Sequence, residues 1–252
     1  MSTLLVDIGN SRVKWARFAD GVLGEQRAAA HAGWSAEAWR VALLAEAGID
    51  RVVAASVAGG APLAALDAAT RAATGRGIER VTTQRAAAGV VNGYADPALL
   101  GVDRWLAAIG AWHRVRGACV IADIGTAATI DVVAADGRHR GGYIVPGPHL
   151  MVGSLLRGTS DLASFRATSP PGDAALFADN TRDAIERGCR VALAAWVGRC
   201  VYDAQRLLGT EPRLLLTGGA LPELLPWLEV AAEPVPDLVL RGLAEVAGPA
   251  VI

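Results

Sequence analysis

Two strand ends carry the residue types best suited to chemistry. Asp7 is followed by Ile8, Gly9, Asn10 and Ser11, and Asp123 by Ile124, Gly125 and Thr126. A carboxylate just ahead of a glycine and short polar residues can hold a hydrated divalent ion beside backbone N–H groups that cradle phosphate oxygens. In the first copy Asn10, Ser11 and Lys14 extend the set of donors, and the pair Gly218-Gly219 would let an adenosine lie close to the backbone. Of the 24 basic residues all but Lys14 are arginine, a bias that fits a GC-rich genome. A compact ammonium kept at that one place points to a need for a point charge rather than a planar fork. Taken singly, each motif reads equally well as a hairpin turn at a strand end.

The elements that must position these residues repeat. Residues 4–21 read LLVDIGNSRVKWARFADG and residues 120–137 read VIADIGTAATIDVVAADG, in register without a gap at an offset of 116. Each copy predicts an apolar strand ending in Asp-Ile-Gly, a polar turn, a second β-rich run, and an Asp-Gly whose tolerance of positive φ suits a tight hairpin. After the first meander the spacing predicts a helix capped by Ser35 and running to about 47, a buried strand at 51–56, a helix at 63–73 and a short strand at 80–83. Residues 99–116 predict a long amphipathic helix with Trp105, Ile109 and Trp112 inward, ended by Gly117. The second meander spans 118–145, and Pro146-Gly147-Pro148 leads into a helix at 149–158. A long helix follows at 181–208, and a strand at 214–216 empties into Thr217-Gly218-Gly219. Residues 166–180, rich in Pro, Gly, Ser and Asp, read as an exposed loop able to cover a cleft, as a lid or a dimer contact. The expected domains are 1–116 and 117–252, packed so that the two Asp-Gly motifs face each other across a cleft.

The chain has 252 residues, 52 % apolar and 19 % charged, with 24 basic against 25 acidic side chains and a net charge of −1. That length and composition suffice for a large core and rule out disorder. The charge balance supplies no attraction to nucleic acid or to an anionic membrane, so neither is an expected partner. Cys119, Cys189 and Cys200 lack C-x-x-C spacing and read as reduced cytosolic thiols. His31, His113, His139 and His149 are scattered, without the i, i+4 pairing of a transition-metal site. Asp7 interrupts the first apolar run early, which no secretory segment would tolerate, and no apolar run approaches a membrane span of about 18 residues. A cytoplasmic protein is expected.

There is no G-x-x-x-x-G-K-[ST] and no G-x-G-x-x-G after a strand, which leaves the duplicated actin-like α/β architecture. The segments Asp7-Ile-Gly-Asn-Ser11, Gly101-Val-Asp-Arg104, Asp123-Ile-Gly-Thr-Ala127 with Thr129-Ile-Asp131, Gly141-Gly-Tyr-Ile-Val-Pro-Gly147 and Leu216-Thr-Gly-Gly219 together resemble the type III pantothenate kinase family. The resemblance covers nearly the whole chain, in the family's order. It implies the duplicated RNase H-like fold of the actin, acetate and sugar kinase and Hsp70 superfamily. It also implies ATP-dependent phosphorylation of the 4′-hydroxyl of pantothenate, the first step of coenzyme A synthesis, in a cytosolic homodimer.

On that resemblance Asp103 is the catalytic base, a role that suits a carboxylate held near an alcohol. Tyr94, Gly101, Val102, Asp103, Arg104 and Thr181 become pantothenate contacts; the Arg104 guanidinium suits the substrate carboxylate, and Thr181 can reach across the dimer. Asp7, Ile8, Gly9, Asn10, Ser11, Arg12, Val13 and Lys14 line the ATP phosphates, with Thr126 from the second half. Mg2+ would sit beside Asp7 and a monovalent cation, K+ or NH4+, on Asp123. The run Thr159-Ser160-Asp161-Leu162 followed by Ala163 departs from the family's pattern. The alternatives are another small-molecule kinase of the same superfamily and a nucleotide-dependent regulator that performs no transfer.

Overall fold

The computed structural model describes residues 2–46, 48–158 and 177–248. The elements run β1 (Ser2–Ile8), β2 (Arg12–Ala19), β3 (Val22–Leu23), β4 (Arg27–Ala30), α1 (Ala36–Leu43), β5 (Arg51–Ser56), α2 (Gly60–Thr74), β6 (Glu79–Arg80), β7 (Ala86–Ala87) and β8 (Val90–Val91). After a 3-10 turn at Pro97–Leu99 come α3 (Val102–Val115), β9 (Cys119–Ile124), β10 (Ala127–Val133), β11 (His139–Pro146), α4 (Pro148–Gly158), α5 (Thr181–Leu208), β12 (Arg213–Thr217), α6 (Leu221–Leu224), β13 (Glu233–Pro234) and α7 (Leu238–Ala247). One sheet has the order β3-β2-β1-β5-β6 with β4 also on β2, the other β11-β10-β9-β12-β13. The chain divides into two compact units: Met1–Gly117 with Val133–Gly141 and Asp237–Ile252, and Ala118–Val132 with Gly142–Pro236.

In the first unit β1 is antiparallel to β2 and parallel to β5. Its run of buried residues on both faces marks a strand covered from both sides. On one side Leu4, Val6 and Ile8 pack with Trp39 of α1 and Leu66 of α2. On the other, α7 lies along β1, β2 and β5 and packs on α3. The α3–α7 crossing is close because it is made of glycines: a Cβ on Gly242 would overlap the Leu106 carbonyl oxygen, and one on Gly110 would stand 2.5 Å from the Leu238 oxygen. In the second unit β9 is parallel to β12, and Val120, Ala122, Ile124, Leu214 and Leu216 pack with Leu193, Val197 and Cys200 of α5 and with Leu221 and Leu224 of α6.

The first Asp-Gly hairpin forms as its residues predict: Asp20 and Gly21 both have positive φ, 53° and 77°, and Ala19 pairs with Val22 across a two-residue turn. The second is longer, because only Gly137 is left-handed there, at φ 83°, and Ala134 N–H reaches the Arg138 carbonyl.

Several boundaries move. The 99–116 helix starts at Val102, since residues 97–99 form a 3-10 turn capped by Asp96 and Leu100 is extended. Arg116, left-handed at φ 51°, ends that helix in place of Gly117, its N–H bonding the Trp112 carbonyl. Trp105 and Ile109 are buried and Trp112, half-buried, packs against their cluster as expected. The strand expected at 80–83 is Glu79–Arg80, where only two residues pair with β5. Ser35 does cap α1, accepting from Ala38 N–H at 3.2 Å. Residues 166–176 of the expected covering loop, and the 159–163 run, lie outside the described residues.

Candidate functional site

The first turn is built by strand register. Asp7 stands opposite Lys14 and Ile8 opposite Val13, so the carboxylate and the sole lysine share one face of the β1–β2 pair. The register sets an acidic and a basic position directly opposite each other beside the turn. Asp7 is buried, 6 % exposed, and Lys14 half-buried. The Gly9 N–H donates to the Arg12 carbonyl at 2.9 Å, closing a two-residue loop whose tip, Asn10-Ser11, is exposed. The Ile8 carbonyl accepts from Val57 N–H at 3.0 Å. Ile8 and Val13 turn their side chains into the core, so contacts from them are made by backbone. Arg12 is exposed.

The second unit repeats this plan. Asp123 pairs with Thr217 as Asp7 does with Ala55, and the Ile124 carbonyl accepts from Ala220 N–H at 2.9 Å as Ile8 accepts from Val57. Gly125 N–H bonds the Ala127 carbonyl at 3.0 Å, and Gly147 N–H the Thr126 carbonyl at 2.9 Å. Gly218, at φ +103°, comes so close that a Cβ would overlap the Ile124 carbonyl and stand 2.5 Å from Asp123 Oδ1. Only glycine combines that approach with that backbone. The donors offered here, a half-buried carboxylate and main-chain carbonyls, are hard oxygens that suit an alkali or alkaline-earth cation. Among the described residues no group of three His, Cys, Asp or Glu side chains could hold a metal ion. Thr126 is exposed at the turn.

A third constellation opens α3. Gly101 is its N-cap, and its bareness has a local cause: a Cβ would lie 2.7 Å from Asp103 Oδ1. Asp103, in the first turn, accepts from Arg104 N–H at 2.8 Å. There the helix dipole favours its charged form. Arg104 is 7 % exposed and donates from Nη1 to the Tyr94 hydroxyl at 3.0 Å. Val102 is buried beside them.

Tyr94 is itself fixed. Its N–H donates to Asn92 Oδ1 at 2.9 Å, its carbonyl accepts from Arg85 Nη1 at 2.8 Å, and its ring stacks 5.9 Å from that of His139. The buried Asn92 and the exposed Arg85 carry no sequence signal for this role, because side chains that serve a loop's backbone leave no periodic pattern; His139, also buried, reads in the sequence only as one scattered histidine.

Thr181 is the first residue of α5 and exposed; the cap is Asn180, which accepts from Asp183 N–H at 3.0 Å. Behind it, still in the second unit, a cavity of about 400 Å3 is lined by His149, Arg182, Glu186, Arg190 and Glu223. Arg182–Glu186 at 2.6 Å, Glu186–Arg190 at 3.5 Å and Arg190–Glu223 at 3.1 Å form a chain of ion pairs, and His149 Nε2 lies 2.9 Å from Glu223. The i, i+4 ladder of Arg182, Glu186 and Arg190 was the signal available in the sequence.

The structure thus gathers Asp7 to Lys14 at one turn, Tyr94 with Gly101 to Arg104 at one helix start, and Asp123 with Thr126 and Gly218 at a turn of the second unit. Thr181 stands by itself at the head of α5. No helix among the described residues is long and apolar enough to cross a membrane.

A family profile described as type III pantothenate kinase matches residues 3–203. A type III pantothenate kinase of Nitrosococcus oceani is 37 % identical over 255 residues, covering 97 % of this chain and 93 % of the relative. One from Alkalilimnicola ehrlichii is 40 % identical over 249 residues, covering 97 % of each. Among solved structures, the activator of the 2-hydroxyisocaproyl-CoA dehydratase from Clostridium difficile with bound ADPNP superposes with a TM-score of 0.53 at 12 % identity, covering 98 % of this chain and 94 % of that one. At that identity the likeness is one of fold alone, and it agrees with the duplicated RNase H-like α/β architecture expected from the sequence.

Proposed function

Because this chain belongs to the type III pantothenate kinase family, we propose that it transfers the terminal phosphoryl group of ATP to the 4′-hydroxyl of pantothenate, the first step of coenzyme A synthesis. The family match over residues 3–203, which takes in the Asp7–Lys14 turn, Tyr94 with Gly101 to Arg104, and Asp123 with Thr126, carries this reading. Asp103 orients the hydroxyl and accepts its proton as the oxygen's electron pair attacks the terminal phosphorus. A P–O bond to the vitamin forms, the bond to the β-phosphate oxygen breaks, and ADP leaves with that electron pair. Arg104, its guanidinium aligned by the Tyr94 hydroxyl at 3.0 Å, binds the pantothenate carboxylate through parallel charge-assisted hydrogen bonds. Gly101 and Val102 give that carboxylate close access to the helix start.

The phosphates lie along the Asp7–Lys14 turn, with Asn10, Ser11, Arg12 and Lys14 as donors and Thr126 as a further contact. Lys14, held opposite Asp7, supplies positive charge where negative charge builds. Mg2+ beside Asp7 would neutralise phosphate charge, and K+ or NH4+ beside Asp123 would fill the oxygen-lined turn. The active form is a homodimer in which Thr181 reaches the partner's substrate. The cytoplasm suits three cysteines that are all buried and free.

Coupled ATP turnover, with and without pantothenate, in potassium and then in sodium, tests the reading on wild type and Asp103→Asn. Turnover should require pantothenate and fall about 10²- to 10⁴-fold in the variant. Turnover indifferent to pantothenate would reject the substrate, and an undiminished Asp103→Asn would reject the base. Sedimentation of a monomer alone would reject the dimer.

A further inference from the structure

In the first unit the Gly9 carbonyl, inside the phosphate turn, accepts a hydrogen bond from His31 Nε2 at 2.7 Å. A carbonyl can only accept, so Nε2 carries a proton whether the ring is neutral or charged. The imidazole is 6 % exposed and lies against Trp39, ring centroids 5.6 Å apart. Trp39 is in turn met edge-on by Trp34 at 5.0 Å. Strand register delivers His31 to the turn: Ala30, the last residue of β4, stands opposite Arg12, where the loop rejoins β2.

We propose that His31 is a positioning residue of the phosphate turn, one that aims the Asn10 N–H at the nucleotide. The peptide joining Gly9 to Asn10 is planar and trans, so its C=O and N–H point in opposite directions. A buried donor holding the carbonyl on one side therefore sets the direction of the N–H on the other. Glycine's broad φ/ψ freedom would otherwise leave this peptide able to flip.

The repeat supports the assignment. At the same 116-residue offset the second copy has Gly147 in place of His31. There the carbonyl equivalent to that of Gly9, on Gly125, is abutted by the Gly147 backbone so closely that a Cβ would overlap it. The same carbonyl is thus closely approached in both halves, by a side-chain donor in one and by the Gly147 main chain in the other, whose own N–H goes to the neighbouring Thr126 carbonyl. This inference rests on the reading that the Asp7–Lys14 turn holds ATP.

Two substitutions separate the donor from the packing. His31→Leu keeps an apolar body against Trp39 without the N–H, and His31→Gln places an amide N–H near the Nε2 position. His31→Leu should raise KM for ATP about five- to tenfold, the loss of one buried hydrogen bond. KM for pantothenate should stay within about twofold and His31→Gln should restore most of the loss. Equal losses in both variants, or equal rises in both KM values, would overturn the proposal. Were wild type to leave pantothenate unphosphorylated, the functional reading alone would fail, and equilibrium titration of the variants with a non-hydrolysable ATP analogue would still decide the role of His31. Should His31→Leu not fold, nitrogen-15 NMR of the wild-type rings gives the answer. An Nε2–H ring whose signals shift with the analogue is expected, and an Nδ1–H tautomer at His31 would overturn the assignment.

Discussion

Gly242→Ala sets two helix backbones against each other. An ideal Cβ at Gly242 overlaps the Leu106 carbonyl oxygen, lies 2.6 Å from its carbon and 3.1 Å from Gly110 N. Carbon atoms in contact prefer about 3.5–4.0 Å, so α7 must retreat from α3 by about 1 Å. Backbone cannot rotate away as a side-chain tip can, which puts the overpacking cost near ~3 kcal/mol. Alanine's better helix propensity returns about 1 kcal/mol. The net loss is ~2 kcal/mol, or about 4–8 °C in melting temperature for a chain of this size.

Gly188→Ala is the control, another mid-helix glycine, but exposed on α5 with nothing within 4 Å of a new Cβ. It should gain up to ~1 kcal/mol from propensity alone. Scanning calorimetry of both variants decides. Gly242→Ala should also lose activity, because Asp103 and Arg104 lie one turn before Leu106 on the helix that is pushed. Were the two alanines equally benign, the close α3–α7 crossing would be refuted.

Lys14→Ala should raise KM for ATP about tenfold with a smaller change in kcat; a large fall in kcat at unchanged KM would contradict its assignment to binding. Burial pushes the Cys119 thiol up to about 12 and Cys200 to about 11, so neither should react with a disulfide reagent at pH 8 until the chain unfolds. Prompt labelling of Cys119 in native protein would disprove the buried β9. Arg71, followed by the Ile78 N–H, holds the Asp67 carboxyl below its usual range. A carboxylate with a depressed folded pKa stabilises above the unfolded value near pH 4 and loses that contribution as pH falls through the folded one. Urea titration should therefore show Asp67→Asn costing something under ~1 kcal/mol at pH 7 and nearly nothing at pH 2, the solvent-screened pair being weak. A cost that is independent of pH would refute the ion pair.

The duplicated strand-turn pairs could be read directly because identical residues recur at one offset and a strand's period of two leaves little choice of face. The hydrogen bonds onto Ile8 and Ile124 could not, since their donors, Val57 and Ala220, arrive from parallel neighbours distant in sequence. The segment that forms α7 carries no distinct helix signal. Its sequence LVLRGLAEVA is apolar on most sides, and its helical identity depends on α3 and β1, far away along the chain. The start of α3 is hidden in the sequence because Pro97 to Leu100 is as apolar as the helix itself, while the break comes from the Asp96 cap and an extended Leu100. His31 looked like one scattered histidine among four. Only the offset to Gly147, joined to the turn's geometry, marks it out.

The path of the backbone also bears on how the protein is made. Of the described elements α7 leaves the ribosome last, after the whole of the second unit, yet it belongs to the first. During synthesis β1, β5 and α3 must wait with one apolar flank bare, roughly ten seconds at ordinary elongation speed. The second unit can close while the first is still unfinished, the reverse of the usual vectorial order. A nascent chain stalled before Leu238 would accordingly be a target for chaperones at its amino-terminal half.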